Sequence, residues 1–328
     1  MKQIKFIDLF AGIGGTRLGL EQAAKKLGLQ TKCVFSSENN KFARKVYQEY
    51  FKENQLFGDI QEIKDKNINR LIPDHNILIA GFPCQPFSHA GKKKGFSDTR
   101  GSLFFDIERI LKIKKPDSFI LENVKHLIGH DEGKTMKKIL NILTDKLGYV
   151  VPEPKTLNSK DFGLPQNRAR VFIVGFKEFS FFNYPALKEV KTCVENILEK
   201  KISNIKKYII SDRLWAGHKR RKLNYRKKGY GFGYGKFSGK DSYTNTLSSR
   251  YYKDGGEILI DRGKKNPRKL TEKECANLMG FPRNFPVNIV STAQYYRLFG
   301  NSVAVPVMKE LSVNVLETIL NRKKEIAA

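Results

Sequence analysis

IKFIDLFAGIGGTRLGLEQAAKKLG, residues 4 to 28, decides the fold. IKFIDLF (4–10) is a short β-type run, AGIGG (11–15) a glycine turn, and TRLGLEQAAKKLG (16–28) an amphipathic helix with Gly28 as its stop. That is strand, turn, helix, and the chain repeats it. CVFSSE (33–38) precedes the helix-like NKFARKVYQEYF (40–51), and HNILIAGF (75–82) precedes GSLFFDIERILKI (101–113). DSFILENV (117–124) precedes GKTMKKILNILTDKLG (133–148), and the strand RVFIVGF (170–176) follows. Strands alternating with helices imply an α/β domain with a mostly parallel sheet covered on both faces.

Beyond about residue 185 the texture changes, and a second, smaller and more irregular unit is expected. Segment 216–240, AGHKRRKLNYRKKGYGFGYGKFSGK, is rich in Lys, Arg, Gly and aromatics and shows neither a helical nor a two-residue period. The closing stretch 305–322, VPVMKELSVNVLETILNR, is again an amphipathic helix, of a kind that returns to the first unit. The expected division is 1–187, 188–285 and a returning segment 286–328.

The chain has 328 residues, 40% of them hydrophobic, enough for one or two cores without disulfide or metal staples. Lys and Arg number 61 against 33 Asp and Glu, a net +28 that points to a polyanionic partner, nucleic acid before a membrane surface. No stretch approaches the roughly 20 apolar residues of a membrane span, and the N-terminus lacks a signal-peptide pattern, so a soluble, intracellular protein is expected. Cys33, Cys84, Cys193 and Cys275 are scattered without C-x-x-C spacing, and the five histidines have no ligand spacing, so no metal site is expected.

FAGIGG opening a helix after the first strand offers backbone N–H groups and a positive helix end, which suit a nucleotide-like ligand. Glu38 follows the second strand and Asp59 sits in GDI; in a doubly wound sheet both lie at carboxyl ends of strands, where ligands bind. Either also reads as an exposed loop acid. Cys84, in GFPCQPFS, follows the apolar run HNILIAGF and so falls on the same edge. Pro83 and Pro86 restrict the backbone beside it, and Lys92, Lys93, Lys94 and Arg100 follow, a setting that favours a thiolate. Glu122 and Asn123 end SFILEN; Glu122 is suited to share a proton with a substrate ring, and equally to cap a helix. Arg168 and Arg170 in QNRAR stand two apart before a strand, so both side chains are expected on one side. From His218 to Lys228 eight residues are Lys, Arg or His, with Tyr225 among them and GYGFGYG following, a composition suited to phosphate and base contacts.

The ordered set FIDLFAGIGG, SSEN, GDI, GFPCQPFS, LENV, QNRAR and GNSVAVPV resembles the DNA (cytosine-C5) methyltransferase family over nearly the whole chain, in its bacterial restriction-modification or Dcm-like form. The resemblance implies a Rossmann-like methyltransferase fold with a target-recognition domain, S-adenosylmethionine as cofactor and double-stranded DNA as partner. It implies a monomer, with any cognate restriction endonuclease acting separately. Cys84 is then the nucleophile toward C6 of a flipped cytosine, Glu122 binds and protonates N3, Asn123 braces the cysteine loop, and Arg168 and Arg170 hold the base and Glu122. Phe10, Gly12, Ile13, Gly14 and Gly15 cradle the methionine and adenosine; Glu38 takes the ribose, Asp59 with Ile60 the adenine, and Pro83, Leu103, Asn301 and Ser302 complete the pocket. DNA contacts are expected from Gln85, Ser88, Lys92 and Arg100 in a closing loop, and from Arg220, Arg221, Thr246 and Arg250 in the recognition region. That region looks like those of members modifying the inner cytosine of sites beginning CC and ending GG. A DNA-binding homologue without activity and a tRNA cytosine methyltransferase are the rival readings; the long stretch between QNRAR and GNS favours DNA over tRNA.

One position departs from the family pattern. The residue after the ribose glutamate is ordinarily bulky and apolar, and here it is Asn39. Asn39→Trp is therefore expected to tighten S-adenosylhomocysteine binding about five-fold, as one aromatic stacking contact of about 1 kcal/mol would; calorimetric titration of both proteins, returning equal dissociation constants, would contradict it.

Overall fold

A computed structural model describes residues 3–53, 56–82, 103–187, 190–231 and 233–327. The chain forms two compact units. The first comprises Met1–Leu157, Ala169–Ala186 and Val307–Ala328, and the second Asn158–Arg168 and Leu187–Pro306. The second unit thus takes in an early excursion, 158–168, and runs on to 306, past the limit of 285 expected from texture.

In the first unit β1 (Gln3–Leu9), α1 (Gly15–Lys26), β2 (Gln30–Ser37), α2 (Lys41–Phe51), α3 (Asp65–Leu71), β3 (Ile77–Gly81), α4 (Leu103–Lys114), β4 (Ser118–Val124) and α5 (Lys134–Asn141) follow the alternation of the sequence. β5 (Lys155–Asn158) and β6 (Ala169–Phe176) complete a sheet of order β2-β1-β3-β4-β6-β5. β1 pairs in parallel with β2 and β3, and β3 with β4. β6 runs antiparallel to β4, because the chain visits the outer position β5 first and enters beside β4 from the opposite end, which apolar runs alone do not reveal. Strand order reverses at β1, so the glycine turn after it occupies the switch point of the sheet.

β3 is apolar, β4 carries the apolar run Phe119–Leu121, and both are buried along nearly their whole length, as strands covered on both faces must be. Leu78 and Ala80 of β3 and Phe119 and Leu121 of β4 pack with Phe104, Ile107, Ile110 and Leu111 of α4 and Ile139 of α5 in one buried cluster, while Ile77, Ile79 and Ile120 alternate with them along the strands. Asn40 caps α2 by accepting from Phe42 N–H and Ala43 N–H, and Gly28, at φ 68°, turns the chain out of α1.

In the second unit α6 (Asp212–Lys227) precedes a small sheet β7 (Lys236–Phe237), β8 (Leu259–Arg262) and β9 (Lys265–Arg268), followed by α7 (Glu272–Leu278) and α8 (Thr292–Asn301). The helix α6 corrects the irregular reading of 216–240. Its polar residues run almost all round, so periodicity is faint; Leu214, Trp215, Gly217, His218, Lys222 and Tyr225 are its less exposed residues. Ser211, accepting from Leu214 N–H, with Asp212 in the first turn and Arg226 and Lys227 in the last, fixes its ends.

The last helix α9 (Val305–Ala327) begins at the unit boundary and packs on α1 of the first unit through its portion beyond residue 306. A Cβ at Gly19 would lie 2.6 Å from Met308 Cβ and 2.9 Å from the Lys309 backbone nitrogen. Gly19→Ala should therefore destabilise the protein by about 1–3 kcal/mol through overpacking, although alanine is the better helix former by about 1 kcal/mol; urea unfolding that shows a stabilised variant would refute the close contact.

Candidate active site

The functional residues of the first unit gather by register. Leu9 lies opposite Ser37 on one side and Ala80 on the other, and Ala80 lies opposite Leu121. The next residues along these strands, Glu38, Phe10, Gly81 and Glu122, therefore form one row at the carboxyl edge. Three strand spacings separate its ends, about 14 Å.

At one end of the row the chain turns sharply. Phe10 (φ 55°), Gly12 (φ 54°) and Gly14 (φ 86°) all adopt left-handed backbone, and Phe10 does so at a steric cost of about 1 kcal/mol or more. A Cβ on Gly14 would also strike the Phe51 ring at 2.3 Å, so only glycine fits there. Ala11 N–H donates to Ser37 O (3.0 Å) and Gly14 N–H to Ala11 O (2.8 Å), which holds the turn against β2. Ile13 is buried beneath it, and Gly15 begins α1.

Glu38 closes the cradle. Its Oε2 accepts from Gly12 N–H and its Oε1 from Asn40 N–H, each at 2.8 Å. Burial raises its pKa, against the lowering effect of these two bonds. Glu38 N–H donates to Phe57 O, and Phe57 N–H to Ser36 O, so the segment leading to Asp59 runs beside the end of β2. Asp59 accepts from Gln61 N–H (3.0 Å) and starts a short 3-10 turn, Ile60–Glu62, in which Ile60 is buried. Asn39 is exposed. Leu103, half-buried, opens α4. A strained glycine turn, a carboxylate for two hydroxyls and a buried apolar residue beside a second acid fit an adenosyl group.

Asp8 lies under this cradle and was not among the residues singled out by motif. It is fully buried in β1, and its Oδ1 accepts from Thr16 Oγ1 (2.9 Å) while Oδ2 has no hydrogen-bond partner among the described residues. Burial pushes its carboxyl up to about 7, against the lowering effects of the Thr16 bond and of Arg17; Glu38 and Glu21 push further upward.

At the other end, Glu122 stands opposite Phe172 of β6, and Arg170, two residues along, is its diagonal neighbour on the same face. Arg170 Nε meets Glu122 Oε1 at 3.1 Å, both side chains being nearly buried. Burial lowers the Arg170 pKa, and Glu122 offsets part of that. Asn123 Nδ2 donates to Phe82 O (2.9 Å), and its Oδ1 accepts from Val124 N–H (2.8 Å). Asn123 thus grips the chain two residues before Cys84. Cys84, Pro83, Gln85, Ser88, Lys92 and Arg100 lie outside the described residues.

Arg168 corrects an expectation. It is buried in the second unit, where its guanidinium donates to the carbonyls of Leu247, Gly300 and Ser302 at 2.7–3.0 Å. Its partners differ from that of Arg170, which pairs with Glu122 in the first unit, and Arg168 precedes β6. Gln166 acts alongside it: its amide accepts from Leu247 N–H and donates to Leu278 O. Together they fix TNTL and the GNS segment, in which Asn301 ends α8 exposed and Ser302 is buried. Thr246 Oγ1 donates to Asn167 O at 2.5 Å, so its hydroxyl serves an internal bond. Arg220 and Arg250 are exposed, whereas Arg221 pairs with Asp254 at 2.9 Å. His218 is buried and bonds Asp254 O. No helix is long and apolar enough to cross a membrane, and no group of three His, Cys, Asp or Glu is arranged to hold a metal, among the described residues.

The family profile described as C-5 cytosine-specific DNA methylase matches residues 4–317. The chain belongs to this family. It is 53% identical to the type II methyltransferase M1.ScrFI of Lactococcus lactis subsp. cremoris over 98% of its own length and 80% of that protein's. It is 52% identical to M.NlaX of Neisseria lactamica, covering 97% and 99%, and 40% identical to M.HpaII of Haemophilus parainfluenzae, covering 98% and 91%. The fold matches the Entamoeba histolytica methyltransferase EhMeth with a TM-score of 0.76 at 23% identity, covering 98% of this chain and 99% of that one. The S. pombe Dnmt2 methyltransferase matches at 0.77 and 18%, covering 97% and 99%. This C-5 cytosine methylase is an S-adenosylmethionine-dependent enzyme acting on DNA, and its fold is the Rossmann-like α/β fold expected from the sequence.

Because ionisation of Asp8 is disfavoured in the folded methylase, stability is fully present below the ordinary carboxylate range and is lost as pH rises toward about 7. Asp8→Asn removes that loss. Relative to the unaltered protein, the variant's unfolding free energy should gain about 2 kcal/mol between pH 5 and pH 7.5; a difference that stays flat across this range in urea melts would show that Asp8 is ionised in the fold.

Proposed function

We propose that Cys84 forms a covalent bond to C6 of a cytosine flipped out of duplex DNA, with the first unit binding cofactor and catalysing and the second recognising the target. The single observation that supports this most is the row Glu38–Phe10–Gly81–Glu122. It brings the cradle and the Glu122–Arg170 pair to one sheet edge, three residues beyond whose β3 member stands Cys84.

The thiolate of Cys84 adds to C6 as Glu122 donates a proton at N3, and the ring electrons move toward C5, which becomes nucleophilic. S-adenosylmethionine supplies an electrophilic methyl group. Loss of the C5 proton to water then expels the thiolate, and return of the N3 proton to Glu122 restores the neutral aromatic ring and the acid. Flipping is required because the ring face is closed while stacked. Arg170 holds Glu122 toward the base, and Asn123 fixes the entry to the cysteine segment. Arg168 acts at one remove, by holding the TNTL and GNS segments. Phe10, Gly12, Ile13, Gly14, Gly15, Glu38, Asp59, Ile60, Pro83, Leu103, Asn301 and Ser302 hold the cofactor.

Gln85, Ser88, Lys92, Arg100, Arg220 and Arg250 contact DNA, Arg221 once released from Asp254, and Thr246 through its backbone. The target is the inner cytosine of CCNGG, CCWGG or CCGG. The enzyme works as a monomer in the bacterial cytoplasm, on the nucleoid, and any cognate endonuclease acts separately.

On duplex DNA carrying 5-fluorocytosine, which cannot release C5 fluorine, the protein should form a denaturation-resistant adduct mapping to Cys84. Cys84→Ser should form none and lose at least ~10³-fold in turnover. An adduct elsewhere, or undiminished turnover in the serine variant, would overturn the mechanism, and bisulfite sequencing of a plasmid from expressing cells reads the target site.

A further inference from the structure

Arg109 sits on α4, outside every motif read from the sequence, yet both of its terminal nitrogens reach one short stretch. Nη2 donates to Ile60 O at 2.7 Å, and Nη1 donates to Ile63 O and faces Asp65 Oδ1 at 3.3 Å. Nε donates to Asp106 Oδ1 at 2.9 Å, one helical turn back on the same face. The side chain is only 18% exposed, and Ile60 and Ile63 are each 2% exposed, so the guanidinium is wedged beneath the 3-10 turn. Only a planar fork of several donors holds both ends of such a turn at once.

The same stretch is anchored on its other side. Phe57 N–H donates to Ser36 O and Phe57 O accepts from Glu38 N–H, so residues 57 and 60 are pinned to β2 and to α4 respectively, with only Gly58 and Asp59 between.

We propose that Arg109 is a positioning residue that sets the Asp59–Ile60 edge for reading the purine of the cofactor, so that the preference for adenine over hypoxanthine depends on it. The inference rests on the assignment of Asp59 and Ile60 to the adenine. Hypoxanthine exchanges donor for acceptor at the purine edge, and a fixed polar edge rejects such a swap while a loose one adapts.

The test is calorimetric binding of S-adenosylhomocysteine and S-inosylhomocysteine to the full chain, without turnover. Arg109→Lys keeps the charge but has one nitrogen for two carbonyls. It should weaken S-adenosylhomocysteine binding about five-fold, as loss of one hydrogen bond of about 1 kcal/mol does, and the inosyl compound much less, so the preference falls. Asp106→Asn, which leaves the arginine and loosens its anchor, should shift the preference in the same direction by less, and serves if the lysine variant does not fold. An adenine preference unchanged in these variants, whatever happens to their melting temperatures, overturns the role of Arg109. No preference in the unaltered protein overturns instead the assignment of Asp59 and Ile60.

Discussion

Parallel pairing of β2, β1, β3 and β4, in a fixed register interrupted only by one shift between β1 and β2 at Phe6/Ile7, is the constraint on which the rest depends. Side chains alternate across a strand, so a slip of one residue would exchange the faces of Glu122 and Asn123 and separate Glu122 from its diagonal partner Arg170. The buried apolar runs of β3 and β4 make such a slip costly, because it would rearrange core residues on both faces. Core packing and chemistry are therefore set by the same hydrogen-bond ladder.

In both units the fold places charge where water is scarce, and each case is compensated differently. Glu122 and Arg170 compensate one another as a nearly buried ion pair between β4 and β6. Arg168 meets backbone carbonyls, an arrangement that stiffens two loops of the second unit without drawing on a carboxylate. Asp8 is accommodated by holding its proton to higher pH. Glu38 takes two backbone N–H groups, which hold its oxygens toward the mouth of the glycine turn.

Much of this was legible in the chain because its signals are local. The strand, turn and helix of residues 4–28, the Asn40 cap and the acids after strand ends depend on neighbours within a few residues. The helix α6 was obscured because it is polar almost all round; its start signal, Ser211 with Asp212, is visible once sought. Arg168 was misjudged because strand periodicity was extended one residue too far, across the boundary at which the chain passes from one unit to the other. The antiparallel entry of β6 had no signal in its apolar run, which reads alike in either direction.

The sequence by itself determined the class of fold, the order of its elements and the kinds of residue offered at the strand ends, since periodicity and turn chemistry are short-range. Tertiary structure alone decided which partner each charge meets. Arg168 reaches carbonyls 79 to 134 residues away, and Arg109 reaches carbonyls 46 and 49 residues back. Such pairings follow from which elements pack together, and a guanidinium carries no local mark of the carbonyl it will find.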